Sequence, residues 1–246
     1  MQWRDEALVL GGRRFGESGL ILDVLTATKG RRAGLVYGGA SRKKRGRFEA
    51  GNGLSVSWSG RLEEQLGRFD VAEVTSSRAA RHLEDPTALA AISAISELLR
   101  GGLDEGDEVG SALYAPTMLL LDALENSDVW PSLYCRWELG LLSALGFGLD
   151  LDRCALSGAN DGLTHVSPKT GRAVRGSEAA DYVDRLYQLP AFLLDPGAMI
   201  GPNDLHDALA LTGHFIEARL FAGMNKTTPE ARTRLVRRLV REGGAC

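Results

Sequence analysis

Residues 7–10 read Ala7-Leu8-Val9-Leu10, and residues 20–26 read Leu20-Ile21-Leu22-Asp23-Val24-Leu25-Thr26. Both are short runs of aliphatic and β-branched side chains with glycine following, and the pattern returns at residues 34–37, 54–58 and 66–74. Gly11-Gly12, Gly38-Gly39 and Gly51-Asn52-Gly53 supply turn signals between the runs. Runs of this kind read as strands. Five of them within about 70 residues match the economy of an oligonucleotide-binding (OB) barrel.

After Ser77 the hydrophobic period changes from two to about 3.6, the mark of amphipathic helices. Leu89, Ile92, Ile95 and Leu99 trace one stripe; Val109, Leu113, Leu120 and Leu124 a second; Leu133, Trp137, Leu141 and Leu145 a third. Asp85-Pro86 opens the first and Trp130-Pro131 the third, with proline in the first turn. Pro116 inside the second pattern predicts a kink or a split into two short helices. A further helix carries Leu205, Leu209, Thr212, Ile216 and Leu220 behind a cap at Asn203 or Asp204, and Thr228-Pro229 opens a last one to about Arg241. Residues 146–189, rich in Gly, Ser, Asp and Arg, read as a small irregular or β-ribbon insert.

The net charge of −3 hides an asymmetry: residues 1–80 carry +5, residues 81–225 carry −12, and residues 226–246 carry +4. Such separation fits one part meeting a polyanion while another does something else. The sharpest feature is Arg42-Lys43-Lys44-Arg45-Gly46-Arg47, five cations in six residues in a loop between strands. Their mutual repulsion disfavours a compact loop in isolation, and a phosphate backbone relieves it while releasing counterions. Arg13, Arg14, Lys29, Arg31 and Arg32 add cations to the same domain, so all ten are candidate DNA contacts. A solvated loop that aids solubility is the alternative. Among aromatic residues of the barrel segment, Trp58 and Phe69 read as core, whereas Phe15, Tyr37 and Phe48 stand beside basic residues or loops, where stacking on bases is open to them. On the last helix, Arg234, Arg238 and Arg241 oppose Leu235, Val236, Leu239 and Val240; helix capping or a second DNA contact both account for that face.

Enzymatic signatures are absent: no Gly-Lys pair for a phosphate loop, no Gly-x-Ser-x-Gly elbow, no His-Glu-x-x-His. His82, His165, His206 and His214 are widely spaced, and Asp104-Glu105 and Asp107-Glu108 read as solvated charge in a glycine-rich linker. No catalytic residue, metal ligand or cofactor is therefore expected. Cys135, Cys154 and Cys246 form no disulfide framework, as suits a reducing compartment. Arg4, Asp5 and Glu6 stand where a secretory signal needs an apolar run, and no stretch approaches about 18 apolar residues. A cytoplasmic protein without a membrane partner is expected.

The order of parts resembles the bacterial RecO family of DNA repair proteins over nearly the whole length. The residues that carry the resemblance are Glu6-Ala7-Leu8-Val9-Leu10, Arg14-Phe15-Gly16-Glu17-Ser18, the turn at residues 26–30, Gly38-Gly39-Ala40-Ser41-Arg42, Leu145-Gly146-Phe147, Leu151-Asp152-Arg153-Cys154 and Val166-Ser167-Pro168-Lys169-Thr170-Gly171. The resemblance implies an α+β multidomain chain. A five-stranded OB-fold β-barrel over residues 1–78 precedes an α-helical domain over residues 79–246, with a small degenerate zinc-ribbon-like insert at residues 148–177. In many members that insert holds zinc through two Cys-x-x-Cys pairs; here the first reads Cys154-Ala155-Leu156-Ser157, and Arg175 and Glu178 stand at the second. One thiolate falls short of the roughly four N or S ligands of structural zinc, and His165 would add one at best, so no metal is expected. The resemblance further implies a non-enzymatic recombination mediator, nucleoid-associated, that binds single- and double-stranded DNA, anneals complementary strands and helps RecA displace single-strand-binding protein. RecR and the acidic C-terminal tail of single-strand-binding protein would be partners, with Arg136 amid Trp130, Tyr134 and Trp137 as one place for the tail. An RNA-binding OB protein and a metal-dependent nuclease are the alternatives.

Overall fold

β1 (Gln2–Phe15) is one strand of 14 residues, and the Gly11-Gly12 pair expected to end it lies inside it. Residues 2–8 pair antiparallel with β4 (Gly53–Ser59), and residues 7–15 pair with β2 (Gly19–Thr26). Serving two neighbours requires a bend. The register slips between Val9 and Gly11, where Gly11 adopts φ 150°, a bulge that swings the strand from one partner to the other. β3 (Gly30–Val36) and β5 (Gly67–Ser76) complete a closed barrel in the order β1-β2-β3-β5-β4. The β3–β5 contact is parallel and brief, at residues 34–35 against 67–68, so most of that edge of β3 is left to other partners. The computed structural model describes residues 1–62, 65–180 and 183–243.

Alternate side chains fill the barrel, Ala7, Val9, Leu22, Val24, Leu54 and Val56 among them, with Trp58 and Phe69 closing one side. Trp3 stacks on Trp58 at 5.4 Å. Glycine makes room for these rings: an added Cβ at Gly67 would stand 2.3 Å from Trp58, and one at Gly34 would stand 2.7 Å from Phe69. The intervening Leu8, Leu10 and Leu25 are buried as well. Burial on both faces explains why residues 7–10 show no polar alternation.

The compact unit containing the barrel runs over Met1–Asp122 and takes in Pro229–Leu235. It includes α1 (Arg78–Arg81), α2 (Pro86–Gly102) and most of α3 (Val109–Ala123). Asp85 caps α2, its carboxylate accepting from the amides of Thr87 and Ala88 at 2.9 Å. α2 is buried around most of its circumference rather than along one stripe, Ala88, Ala91, Ala94 and Ser96 included. It packs against β1. Small residues permit close approach, and Gly51 comes so near that a Cβ there would meet Ile92 at 2.6 Å. α3 continues unbroken through Pro116, contrary to the expected split. The proline is exposed, where water serves the carbonyl it leaves unbonded.

The second unit comprises Ala123–Thr228 and Val236–Cys246, with Cys246 outside the described residues. Trp130, Tyr134, Trp137 and Leu141 of α4 (Trp130–Ala144) are buried, whereas Leu133 and Leu145 of the expected stripe are half-buried. Thr212 of α5 (Asp204–Phe215) donates to the buried Glu138 carboxylate at 2.5 Å, so a residue read as part of an apolar stripe is a polar partner in the core. The stripe passes into a π-helical stretch, Ile216–Phe221. α6 (Glu230–Gly243) buries Leu235 and Leu239 and exposes Val240, which the sequence had grouped with them on one side of the helix.

The insert is a three-stranded sheet of β6 (Leu163–Val166), β7 (Ala173–Arg175) and β8 (Tyr187–Gln188), ordered β7-β6-β8 and extending past residue 177. Cys154, Val174 and Ala179 form its small core. The buried Cys154 thiol donates to Glu178 Oε2 at 3.1 Å and accepts from the amides of Arg175 and Leu156 at 3.3 and 3.4 Å. Burial alone would raise its pKa, but amides of Ser157, Arg175 and Leu156 bring it below the ordinary thiol value. The Arg175 guanidinium turns to Asp161 at 2.6 Å. Among the described residues no three His, Cys, Asp or Glu side chains converge as metal ligands, and one thiol beside an arginine does not fit zinc.

His165 is buried in β6, its Nδ1 2.9 Å from Thr164 Oγ1, and burial pushes its pKa below the ordinary value. A depressed histidine contributes stability that is fully present above the unfolded-state value of about 6.5 and is lost as pH falls toward the folded-state value. The opening free energy of β6–β8, measured by hydrogen exchange, should therefore fall between about pH 7.5 and about pH 5.5. His165→Phe should flatten that dependence.

Candidate nucleic-acid interface

Strand pairing decides which residues meet at one end of the barrel. Arg14 lies opposite Leu20 and Phe15 opposite Gly19, while Leu20 lies opposite Val36. The β1–β2 tip and the end of β3 therefore share that end. Beyond Val36 the chain turns at Gly38 (φ 68°), and Gly39 rests where a Cβ would meet Leu20 at 2.9 Å. Ala40 N donates to Ser18 O at 3.0 Å, tying the basic loop to the hairpin tip.

The loop itself is ordered by its backbone. Ser41 O accepts from the amides of Lys44 and Arg45 at 3.0 Å, and a short 3-10 turn spans Arg45–Phe48. Phe48 is 7% exposed and belongs to the barrel core. Asn52 Nδ2 donates to the carbonyls of Gly46 and Arg47 at 3.1 and 3.3 Å. The repulsion expected to open the loop is met instead by splaying the charges. Arg42, Lys43, Lys44, Arg45 and Arg47 are all exposed, and no ion pair among the described residues engages them. Asn52 was legible only as part of a Gly-Asn-Gly turn; its role in holding the loop depends on residues five and six positions away.

Arg13 and Arg14 are exposed on β1, on opposite faces because side chains alternate. This end thus gathers seven of the ten candidate cations, with the exposed acids Glu17 and Glu49 and the partly exposed Glu97 beside them. A groove of about 330 Å³ lies there, lined by Gly11, Gly12, Leu20, Arg45, Glu49 and Arg100 among others.

Lys29, Arg31 and Arg32 lie at the β2–β3 hairpin, the other end of β2, some 25 Å away at about 3.3 Å per residue. Arg31 is committed: Nε and Nη2 donate to the two Asp23 oxygens at 2.9 and 2.8 Å, and Nη1 donates to Leu103 O at 2.9 Å. Burial works against its charge, but Asp23 and then Glu105 and Asp104 hold its pKa above the ordinary value. Arg32 Nε donates to Lys29 O at 3.1 Å. The segment between α2 and α3 lies along the β3 edge that β5 leaves free: Gly106 N donates to Arg31 O at 2.9 Å, and Glu105 Oε1 accepts from Ala33 N at 2.8 Å. Asp104 and Glu105 are therefore not solvated linker charge, as the sequence had indicated. They balance charge at this end of the barrel, and Arg31 has no free fork for a phosphate.

The aromatic residues sort in the same way. Phe15 and Tyr37 are 52% and 66% exposed, whereas Phe48, Trp58 and Phe69 are core. On α4, Trp130, Tyr134 and Trp137 are buried, so they offer the acidic tail no aromatic surface beside Arg136.

Comparison with known proteins shows the family. Residues 1–78 match the family described as "Recombination protein O N terminal" and residues 83–228 the one described as "Recombination protein O C terminal". The chain belongs to the RecO family. It is 67% identical to the DNA repair protein RecO of Hyphomonas neptunium, covering 97% of this chain and 98% of that protein. It is 45% identical to those of Cereibacter sphaeroides strain ATCC 17023 (98% and 100% covered) and Rhodospirillum centenum (97% and 94%). RecO membership supports a role in recombinational repair. No helix of the described residues is long and apolar enough to cross a membrane.

The two groups of cations should separate in a urea melt of this RecO chain. Arg31→Ala, which leaves the buried Asp23 carboxylate only the 3.4 Å contact from Arg100 Nε, should lower the unfolding free energy by about 2 kcal/mol. Lys43→Ala should change it by less than about 0.5 kcal/mol.

Proposed function

We propose that this RecO-family chain binds single- and double-stranded DNA at the Arg13/Arg14 and 42–47 end of the barrel and anneals complementary strands there without breaking bonds. The observation that carries this reading is the group of seven exposed cations, five of them on a loop held in shape by Phe48 and Asn52, in a chain whose net charge is negative. A surface that neutralises two phosphate backbones lowers the repulsion between approaching strands and gains from counterion release. Contacts dominated by charge are weakly selective for sequence.

Family membership supports the rest of the reading: action in the bacterial cytoplasm at the nucleoid, help for RecA in displacing single-strand-binding protein, and partnership with RecR and with the acidic tail of that protein. The RNA-binding alternative has no specific observation in its favour. The hydrolase alternative needs clustered metal ligands, which the described residues do not supply.

The test is the salt dependence of oligonucleotide binding. Replacing Arg42, Lys43, Lys44, Arg45 and Arg47 with Ala should weaken single-strand binding and annealing together, and reduce the slope of log K against log salt by about 3 to 4, at about 0.7 per phosphate contact. Lys29→Ala with Arg32→Ala should leave the slope unchanged. A slope unaltered by the five loop substitutions would assign the loop to solubility. Labelled DNA incubated with the protein and Mg²⁺ should stay intact, and cleavage that co-purifies with the chain would reverse the non-enzymatic reading. Stronger binding of a matched RNA would favour the RNA alternative.

A further inference from the structure

α6 carries cations that the barrel does not account for. Residues 226–246 hold a charge of +4, whereas residues 81–225 hold −12. α6 buries Leu235 and Leu239, one turn apart, and exposes Arg237, Arg238 and Arg241. Side chains three and four positions apart on a helix are neighbours, so Arg241 stands next to both Arg237 and Arg238. The structure thereby changes the set read from the sequence. Arg237 joins it, and Arg234 is engaged, its Nη1 3.5 Å from Glu230 Oε2. No ion pair among the described residues engages the other three.

Simpler accounts of this face fall short. A cation that opposes the helix dipole must lie in the last turn; Arg241 does, but Arg237 and Arg238 precede it. A helix that lies on a membrane inserts its apolar face, and here Leu235 and Leu239 are already buried in the protein. An acidic peptide would need an apolar core to the contact, and Val240 is the one large apolar side chain exposed among the described residues of α6. A nucleic-acid backbone has no such requirement, because its contacts are polar and carried by positive charge. Like charges at three- and four-residue spacing repel one another, and a regular polyanion relieves that repulsion. Arg237 and Arg241 are separated by about 6 Å of helix axis, over which a DNA strand presents about two phosphates at about 3.4 Å each. The guanidinium fork matches phosphate oxygens in pairs.

We infer that Arg237, Arg238 and Arg241 form a second phosphate-binding face, carried by the helical part of the chain, that takes the backbone of a DNA strand. The inference rests on reading the chain as a DNA-binding protein, but not on the loop at residues 42–47. Backbone contacts hold a strand whatever its sequence and leave its bases free to pair.

The experiment measures the slope of log K against log salt for a fluorescent oligothymidine and full-length chains. The unaltered chain is compared with Arg237→Ala/Arg238→Ala/Arg241→Ala, with the charge-keeping Arg237→Lys/Arg238→Lys/Arg241→Lys, and with the alanine triple added to the five loop substitutions. Alanine is the strongest helix former and the three positions are exposed, so α6 should be kept, which helical circular dichroism checks. The alanine triple should lower the slope by about 2, at about 0.7 per lost contact, and the lysine triple should keep it. The combined chain should lose about 2 beyond the loop variant. A folded alanine triple with an unaltered slope, or a lysine triple as impaired as the alanine one, would overturn the second face. If the alanine triple does not fold, Arg237→Ala/Arg238→Ala decides the question with an expected fall of about 1.4. An oligoglutamate of equal charge is titrated in parallel; loss of its binding in the alanine triple, with the DNA slope unaltered, assigns the face to an acidic peptide and overturns the inference. A loop variant with the wild-type slope beside an impaired alanine triple would remove the loop from the DNA-binding reading and leave this face standing. Failure of the unaltered chain to bind any oligonucleotide at low salt would overturn both.

Discussion

The fork of Arg31 closes on Asp23 and on the carbonyl of Leu103, and the distribution of charge over the barrel follows from that contact. It joins a strand, its neighbour and the end of α2, and so brings residues 104–108 alongside the edge of β3 that the short β3–β5 pairing leaves open. An unpaired strand edge is an invitation to association with another chain. Here an acidic segment occupies it, and the acids that cover the edge also balance the cations of the β2–β3 hairpin. The other end has no such cover, so its cations remain available. One geometric fact thus produces both a closed edge and a polarised barrel.

The open end is built with comparable economy. The basic loop owes its shape to groups that carry no charge: Phe48 in the core, Asn52 bonded to two carbonyls, and Gly39 against Leu20. Like charges on a short loop would otherwise favour an extended, mobile segment. Fixing the backbone while leaving the side chains long and free suits binding to a flexible polyanion, because the charges are concentrated before the partner arrives and little backbone order remains to be gained on contact. In the insert, hydrogen bonds to Cys154 from the amides of Leu156 and Arg175, and one from its thiol to Glu178, tie together segments some twenty positions apart.

Five strands, the position of the basic loop and the change to helices after Ser77 were legible in the sequence, because each rests on a local period or on turn chemistry, whereas the strand order came only from the pairing. So were the cap at Asp85 and the core placement of Trp58 and Phe69. Other features were not. Gly11-Gly12 looks like a turn in any local window and is a bulge only because β1 must serve both β2 and β4. Pro116 leaves α3 whole because it faces solvent, a fact that belongs to packing. Asp104 and Glu105 look solvated because their partners stand some 70 positions earlier in the chain.

The sequence by itself determined the barrel, the helical character of the chain beyond it, the family and the cationic loop, since hydrophobic period, glycine placement and charge are properties of neighbouring residues. Only the tertiary structure decided which cations are free. Seven candidate residues lie at the open end and three at the closed one, and no count of charges along the chain distinguishes Arg31 from Arg42. The physical reason is that a charge is neutralised by groups within a few ångströms of it, and for Arg31 those groups come from residues 23, 103 and 105, which are brought together only by folding.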